Sequence, residues 1–456
     1  MTTPLPVALV TPLTGPDAAV GLAALRGMTL WARDERLPPP WDEIGVTAYD
    51  AYPDPVRAMR AAVAAEPAAV FGPVGARAAL AALGATDRLV INAGAPSTRF
   101  VRQSFPHIVN MAAPASTWPR GVLAAVRSVD RQARRVALLA SGEMAVELTS
   151  VCRAAARAQG YEVVSNTFAP GRGGAAARPL APADVLIVHG SAEDELEIAN
   201  ILLRRSWRAA AFSTAVSAEA TATLGALREG LLAPASWAPD NADETGTGPT
   251  ARQFSADFTA LHGVPPTTTA AWAYVSGLIL GRCIRLCGRV GDASLLAAAR
   301  GLDTTTLLGR FRLDQATGLQ VGHQVPIVQW QSGASWTVWP RDSARAPFHH
   351  PRWNAPPPGG LAGASDGPDT AGRDAAGRDA AGRDPAGRRA PAAAPDDRSA
   401  QAPPVGAGPE PTLPLPSQGG AGPRPLRLGR PRPGLGTGGF GTGGFGAGGF
   451  GARRPG

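Results

Sequence analysis

Two short loops in the first hundred residues have the composition of an anion-binding site for a small molecule. One is Gly75-Ala76-Arg77, directly before an alanine-rich stretch, and the other is the segment Ala-Gly-Ala-Pro-Ser-Thr at residues 93–98. A loop that opens a helix presents unpaired backbone N–H groups, and the helix dipole favours negative charge at that end. Such loops can hold a ligand carboxylate without a basic side chain.

The residues that most enzyme mechanisms need are missing or poorly spaced. The chain contains no lysine, which excludes a P-loop lysine, a Schiff-base lysine and a kinase-type lysine. Its six histidines are scattered, no Gly-x-Ser-x-Gly motif occurs, and no spacing supports a triad of Ser141, His189 and an aspartate. We therefore expect no catalytic activity and no cofactor.

The three cysteines do not have the spacing of a metal site. Cys283 and Cys287 fall on neighbouring turns of one predicted helix, and Cys152 is distant in sequence. Isolated cysteines of this kind pack as small apolar residues, so no metal ion is expected.

The predicted strands and helices around these loops alternate along the chain. Short aliphatic or β-branched runs alternate with alanine-rich segments of helical length, which predicts parallel strands with crossover helices. The predicted strands are Val7–Val10, Ile44–Tyr49, Ala69–Phe71, Leu89–Ile91, His107–Asn110, Val136–Leu139, Glu162–Thr167, Val185–Val188 and Ala209–Phe212. The predicted helices between them are Asp17–Asp34, Pro55–Ala65, Ala76–Leu83, Trp118–Val129, Ala145–Gly160 and Glu193–Arg204.

The order of elements changes after Thr250. Three helices are predicted in succession, followed by strand-like runs at Arg310–Leu313 and Val325–Trp330. Antiparallel edge strands after helices are typical of a chain that crosses back between two lobes. Two α/β units joined by several crossings form a hinge architecture. The sequence thus predicts two doubly wound α/β lobes joined by a multi-strand hinge.

The segment after Pro340 has a different composition. Pro, Gly, Ala and Arg dominate it, Ala-Gly-Arg-Asp and Gly-Gly-Phe repeats recur, and residues that could form a core nearly vanish. We expect residues 341–456 to be a disordered tail. It contains 15 Arg against 9 acidic residues, whereas the preceding part has 29 against 27. The predicted folded part is therefore close to neutral, and no nucleic-acid binding is expected of it.

The N-terminus and the apolar segments bear on localisation. Residues 1–7 contain no basic segment and no apolar segment of a signal peptide, and the longest mainly apolar stretch, Ala270–Leu280, is too short to span a bilayer. As written, the chain is expected in the cytoplasm, and it is extracytoplasmic if the true start lies upstream.

Several segments together resemble the type I periplasmic-binding fold, in particular the leucine/isoleucine/valine-binding branch of ABC-transporter solute-binding proteins. The segments are Val7–Pro16 with Arg26-Gly27, Tyr49-Asp50 with Asp54-Pro55, Val70–Gly75, Val90–Ala95, Pro106–Asn110, Leu308–Asp314 and Pro326–Trp330. The resemblance runs from about Val7 to Trp339 and depends on the order and spacing of these segments.

The resemblance implies a clamshell whose ligand lies in the cleft between two lobes. Lobe one would comprise residues 4–116 and 251–320, and lobe two residues 117–250 and 321–340. It implies binding of a small polar solute, such as an amino acid or amide, and an ABC permease as partner. Ligands of such sheets bind at the carboxyl ends of the strands.

The residues that we expect to bind the ligand are polar, small or aromatic residues at the ends of the strands. Glu143 is the best acid for a ligand amine, because lobe two otherwise lacks one where it is expected. Trp118 either stacks on the ligand or packs at the hinge, and the loop residues either bind ligand or stabilise their own loops. The full expected set is Thr14, Gly75, Ala76, Arg77, Asn92, Ala95, Ser97, Trp118, Glu143, Ser191 and Thr214.

Two other functions remain open from the sequence. The missing export signal favours an intracellular sensor that uses the same clamshell to control a partner. The loss of several pocket groups favours a degenerate clamshell that serves as an interaction scaffold.

Overall fold

The computed structural model describes residues 4–73, 75–215, 221–237, 244–350 and 426–428, and its strands form two large sheets and a hairpin. The strands are β1 (Leu5–Thr11), β2 (Ile44–Asp50), β3 (Ala69–Phe71), β4 (Val90–Asn92), β5 (Ile108–Asn110), β6 (Arg135–Ser141), β7 (Glu162–Phe168), β8 (Val185–His189), β9 (Ala209–Phe212), β10 (Leu232–Pro234), β11 (Asp303–Thr306), β12 (Gly309–Arg312), β13 (Ile327–Gln331), β14 (Ala334–Trp339) and β15 (Leu426–Leu428).

The helices cover the faces of these sheets. They are α1 (Ala18–Asp34), α2 (Pro55–Ala64), α3 (Ala76–Leu83), α4 (Trp118–Val129), α5 (Ala145–Ala158), α6 (Gly173–Ala177), α7 (Ala192–Leu202), α8 (Ala251–His262), α9 (Thr268–Cys287) and α10 (Asp292–Gly301). Short 3-10 segments lie at Ala115–Thr117, Ala222–Arg228 and Arg341–Ser343.

The first sheet has the strand order β2-β1-β3-β4-β5 and is parallel throughout, with β15 added antiparallel at the β2 edge. Parallel strands connected by crossover helices place all carboxyl ends at one edge of the sheet, which is where the loops of residues 75–77 and 93–98 lie. The helices α1, α8, α9 and α10 pack on one face, and α2 and α3 pack on the other.

The second sheet has the order β14-β13-β10-β9-β8-β6-β7. The strands β6 to β10 are parallel to one another, and the returning strands β13 and β14 extend the sheet antiparallel. Strand β13 lies beside β10 although about ninety residues separate them, because the chain passes through the first part of the molecule in between.

The buried apolar side chains form clusters that belong to one sheet or the other. Two clusters pack on the first sheet and draw on residues 5–111 and 237–313; two pack on the second sheet and draw on residues 113–235 and 325–338. We name these parts lobe one and lobe two. The chain passes between these clusters near residues 112, 236 and 314–324, and we call these stretches the three connecting segments. The division at 116/117, 250/251 and 320/321 stays a prediction.

The structure confirms the predicted two-lobed α/β class and adds elements that the sequence pattern did not reveal. Helix α6 begins with two glycines and was not predicted, and neither was β10, which is only three residues long and ends in proline. Strands β11 and β14 were also missed. Helix α9 has the length and apolar composition of a membrane span. However, 72% of its 18-residue apolar segment is buried in the lobe-one core.

Residues 341–350 correct the predicted start of the tail. The Gln329 side chain pairs with the backbone N–H and C=O of His349, Phe348 packs on the lobe-two core, and the Arg345 N–H donates to the Thr337 carbonyl. These contacts satisfy buried polar groups of β13, which composition alone does not reveal. The rest of the predicted tail lies outside the described residues apart from β15.

Truncation tests this correction. Removing all residues after Pro340 should lower the melting temperature by about 3 to 6 °C relative to removal after His350, because Gln329 loses its two hydrogen bonds to His349 and the lobe-two core loses its contact with Phe348. Both truncated chains lack β15, so differential scanning calorimetry reports residues 341–350 alone. Equal melting temperatures would show that these ten residues do not contribute.

Candidate functional site

A carboxylate from lobe two is bound by the loop of residues 93–98 in lobe one. Glu147, in the first turn of α5, accepts hydrogen bonds from the Ser97 hydroxyl at 2.8 Å and the Thr98 backbone N–H at 2.9 Å. The Ser116 hydroxyl, in the 3-10 segment that precedes α4, donates to the same carboxylate at 2.6 Å. The carboxyl-end loop of β4 therefore contacts the helix that follows β6.

These hydrogen bonds favour the ionised form of Glu147. Burial alone would raise its pKa, but the hydrogen bonds from Ser116, Thr98 and Ser97 outweigh burial and hold the pKa below its ordinary value. Ser97 and Ser116 are themselves buried. The site thus stabilises one negative charge without a basic side chain.

The interior of the same loop is fixed by two asparagines. The Asn92 side chain accepts the Ala95 N–H at 3.1 Å and donates to the Ala95 carbonyl at 3.0 Å and to the Asn110 side chain at 2.9 Å. Asn92 is therefore buried in the loop rather than directed at the cleft, and the Ala95 amide, which was expected to contact ligand, is used within the loop.

Lobe two holds a second carboxylate at its strand ends. Glu195, buried in α7, accepts hydrogen bonds from the backbone N–H groups of Gly190, Ser213 and Thr214 and from both hydroxyls of Ser213 and Thr214. Burial raises the pKa of the Glu195 carboxyl, and these hydrogen bonds offset part of that effect. The loops after β8 and β9 are joined through this side chain.

The arrangement around Ser213 does not have the order of a catalytic triad. His189 Nδ1 lies 3.0 Å from the Ser213 hydroxyl, but that hydroxyl also donates to Glu195, so serine rather than histidine is the central residue. A triad needs the acid to orient the histidine. Burial also lowers the pKa of His189.

Two further carboxylates fix other strand-end loops. Asp50 accepts the hydroxyl of Thr14 at 2.6 Å and the backbone N–H groups of Leu13, Thr14 and Tyr52. Asp194 accepts backbone N–H groups from residues 171 and 173, and it exchanges hydrogen bonds with Ser191, the N-cap of α7. The Thr14 side chain therefore binds the end of β2, and the Ser191 side chain caps its own helix.

A cavity of about 310 Å³ adjoins the Glu147 site between the lobes. Thr98 contributes from lobe one, Thr117 and Arg120 from the start of α4, and Gln320 and Gln324 from the last connecting segment. The Arg120 guanidinium is exposed. The cavity offers both hydrogen-bond donors and acceptors to a small polar molecule.

Comparison with known proteins relates this geometry to a fold. A family model described as periplasmic binding protein matches residues 201–335. A leucine-binding protein from Thermotoga maritima aligns with a TM-score of 0.61 at 16% identity, covering 73% of this chain and 97% of its own. The chain has the type I periplasmic-binding fold. A search of curated proteins found no match.

Two other solved structures show the same fold. An ABC-transporter solute-binding protein from R. palustris in complex with benzoate aligns with a TM-score of 0.59 at 17% identity, covering 77% of this chain and 98% of its own. A protein from Brucella ovis, named for binding leucine, isoleucine, valine, threonine and alanine, was solved in a closed conformation. It aligns with a TM-score of 0.62 at 16% identity, covering 76% of this chain and 93% of its own.

The other residues expected to bind the ligand lie in the core, at the surface or at the start of a helix in this periplasmic-binding fold. Trp118 is buried in the lobe-two core, which favours its packing role, and Glu143 is exposed. Gly75 caps α3 with a φ of 90° and donates its N–H to the Gly94 carbonyl at 3.1 Å. Ala76 and Arg77 form the first turn of α3, and their side chains lie outside the described part.

Sequence reasoning missed the two central acids, Glu147 and Glu195. The signal available for Glu147 was its position in the first turn of a helix that follows a buried strand, one turn after Glu143. Within the described ranges, no group of three His, Cys, Asp or Glu side chains is arranged to hold a metal ion.

Proposed function

We propose that this chain reversibly binds a small polar solute in the cleft between its lobes, as the substrate-binding component of an ABC transporter. The observation that carries this proposal is the contact of α5 of lobe two with the anion-binding loop of residues 93–98 in lobe one, beside a cavity of about 310 Å³. We assign the chain no catalytic role.

Closure of the lobes supplies the selectivity in this proposal. Three connecting segments allow the lobes to rotate, and the solute favours the closed form by contacting both. Groups from lobe one, lobe two and a connecting segment line the cavity, so a bound solute gains contacts only when they converge. Micromolar affinity, about −8 kcal/mol, would be ordinary for such a site.

The solute class is an amino acid, an amide or a related polar compound. The supporting likeness is to proteins whose names state that they bind leucine, other small amino acids or benzoate. A permease is the proposed partner, since these relatives include an ABC-transporter solute-binding protein.

Thermal-shift screening tests the proposal. A solute at a hundred times its dissociation constant stabilises by about 2.7 kcal/mol, which should raise the melting temperature by several degrees. Arg120→Ala should weaken binding of that solute by about tenfold or more, because a charged hydrogen-bond donor leaves the cavity. The control is Arg252→Ala, an exposed arginine on α8, which should leave affinity unchanged.

One observation favours a second candidate, an interaction scaffold. The carboxylates of Glu147 and Glu195 already bind the strand-end donors of both lobes. If no amino acid, amide, urea or short peptide raises the melting temperature at millimolar concentration, the receptor proposal is wrong and the scaffold is favoured.

A further inference from the structure

We infer that Glu147 takes the place of a solute carboxylate at the loop of residues 93–98, so that the cleft selects neutral polar solutes such as primary amides. This inference rests on the proposed function, because it specifies the solute class of the same cleft. Glu147 then determines specificity, because it occupies the loop that a solute carboxylate would otherwise bind.

The match between donors and carboxylate carries the inference. Glu147 Oε1 accepts from the Thr98 N–H and the Ser116 hydroxyl, and Oε2 accepts from the Ser97 hydroxyl, at 2.6 to 2.9 Å. Ser97 and Thr98 belong to lobe one, whereas Glu147 belongs to lobe two. A side chain that only capped its own helix would not cross between lobes.

The donors have no remaining capacity for a second carboxylate. The Ala95 N–H is used by Asn92, and the Ser97 N–H donates to the Ala95 carbonyl at 3.0 Å. A solute carboxylate must therefore displace Glu147 from these donors. Glu147 has the advantage in this competition, because its covalent attachment gives it a high effective concentration at the loop. A second negative charge beside Glu147 would also be repelled.

A neutral amide avoids this competition. Its carbonyl can accept from the Arg120 guanidinium, and its N–H groups can donate to the side-chain carbonyl of Gln324 or the hydroxyl of Thr117, all of which line the adjacent cavity. The solute therefore needs no carboxylate to contact both lobes, since Glu147 already connects them.

Chemical rescue tests the substitution of one carboxylate for another. Glu147→Ala should lower the melting temperature by about 4 to 8 °C, since buried donors lose their acceptor. Sodium acetate, compared with sodium chloride at equal ionic strength, should recover at least half of that loss, and acetamide should recover none. The matched control is Glu143→Ala, an exposed glutamate one turn earlier, which should show neither the loss nor the acetate effect.

Solute selectivity tests the second half of the inference. Calorimetric titration with propionate and propionamide should show propionamide preferred by the wild-type chain. Glu147→Ala and Glu147→Gln should each bind propionate at least about tenfold more tightly than wild type, with little change for propionamide. The glutamine variant preserves side-chain volume, so the test does not depend on the alanine variant folding.

The outcomes separate this inference from the proposed function. Equal propionate affinity in the wild type and both variants, or equal rescue by acetamide and acetate, would overturn the role of Glu147 and leave solute binding intact. Acetate rescue without binding of any solute to the wild type would support the carboxylate substitution while overturning the receptor function and the amide selectivity.

Discussion

Glu195→Ala should reduce the free energy of unfolding by about 3 to 5 kcal/mol, because it removes the acceptor of several buried donors. The backbone N–H groups of Gly190, Ser213 and Thr214 and two hydroxyls all donate to this carboxylate. Alanine leaves the three backbone N–H groups without this acceptor beside a small cavity lined by Glu195 and Leu196. Urea unfolding followed by circular dichroism measures the loss.

The matched control for this prediction is Glu193→Ala. Glu193 lies in the first turn of the same helix and is exposed, so its replacement should change stability by less than about 0.5 kcal/mol. Similar effects of the two substitutions would mean that the hydrogen bonds of Glu195 do not stabilise lobe two. The loss of stability in Glu195→Gln should fall between those of the two alanine variants, because the amide oxygen can accept hydrogen bonds from only some of the donors.

Gly277→Val should have an effect of comparable size in lobe one, lowering stability by about 4 kcal/mol or preventing folding. A Cβ atom at this position would lie 2.1 Å from the Trp31 ring. Trp31 is fully buried between α1 and α9 and donates to Glu35 at 3.1 Å, so the ring cannot move aside without losing packing and a hydrogen bond. Soluble yield and calorimetric melting temperature are the measurements.

Gly301→Ala is the control for the glycine substitution. A Cβ at Gly301, the last residue of α10, would have no atom within 4 Å, and alanine has the higher helix propensity. This substitution should be neutral or slightly stabilising. Full stability of the Gly277 variant would show that α1 and α9 separate more easily than their close packing indicates.

The two predictions concern different requirements of the same cleft. Close packing of α1 against α9 gives lobe one a rigid base for the loop of residues 93–98, whereas Glu195 joins the strand-end loops of lobe two. A solute site formed by two lobes needs both loops held in place before closure, since misplaced donors lose most of their binding energy.

The secondary-structure elements and the fold class could be predicted from local sequence patterns. Alternation of aliphatic strands with alanine-rich helices is a local property, so β1 to β9 and most helices were predicted within a few residues, and the parallel two-lobed class followed. Short elements without a periodic pattern, such as α6 and β10, were missed because tertiary contacts stabilise them.

Tertiary structure alone decided which polar residues meet. The sequence placed donors in the loop of residues 93–98 and an acid after β6, but it favoured Glu143, and only the packing of lobe two against lobe one places Glu147 on those donors. The Asn92 to Asn110 pair and the Gln329 to His349 pair likewise join residues that are distant in sequence. A hydrogen bond acts over about 3 Å, so its partners depend on chain positions that no local pattern contains.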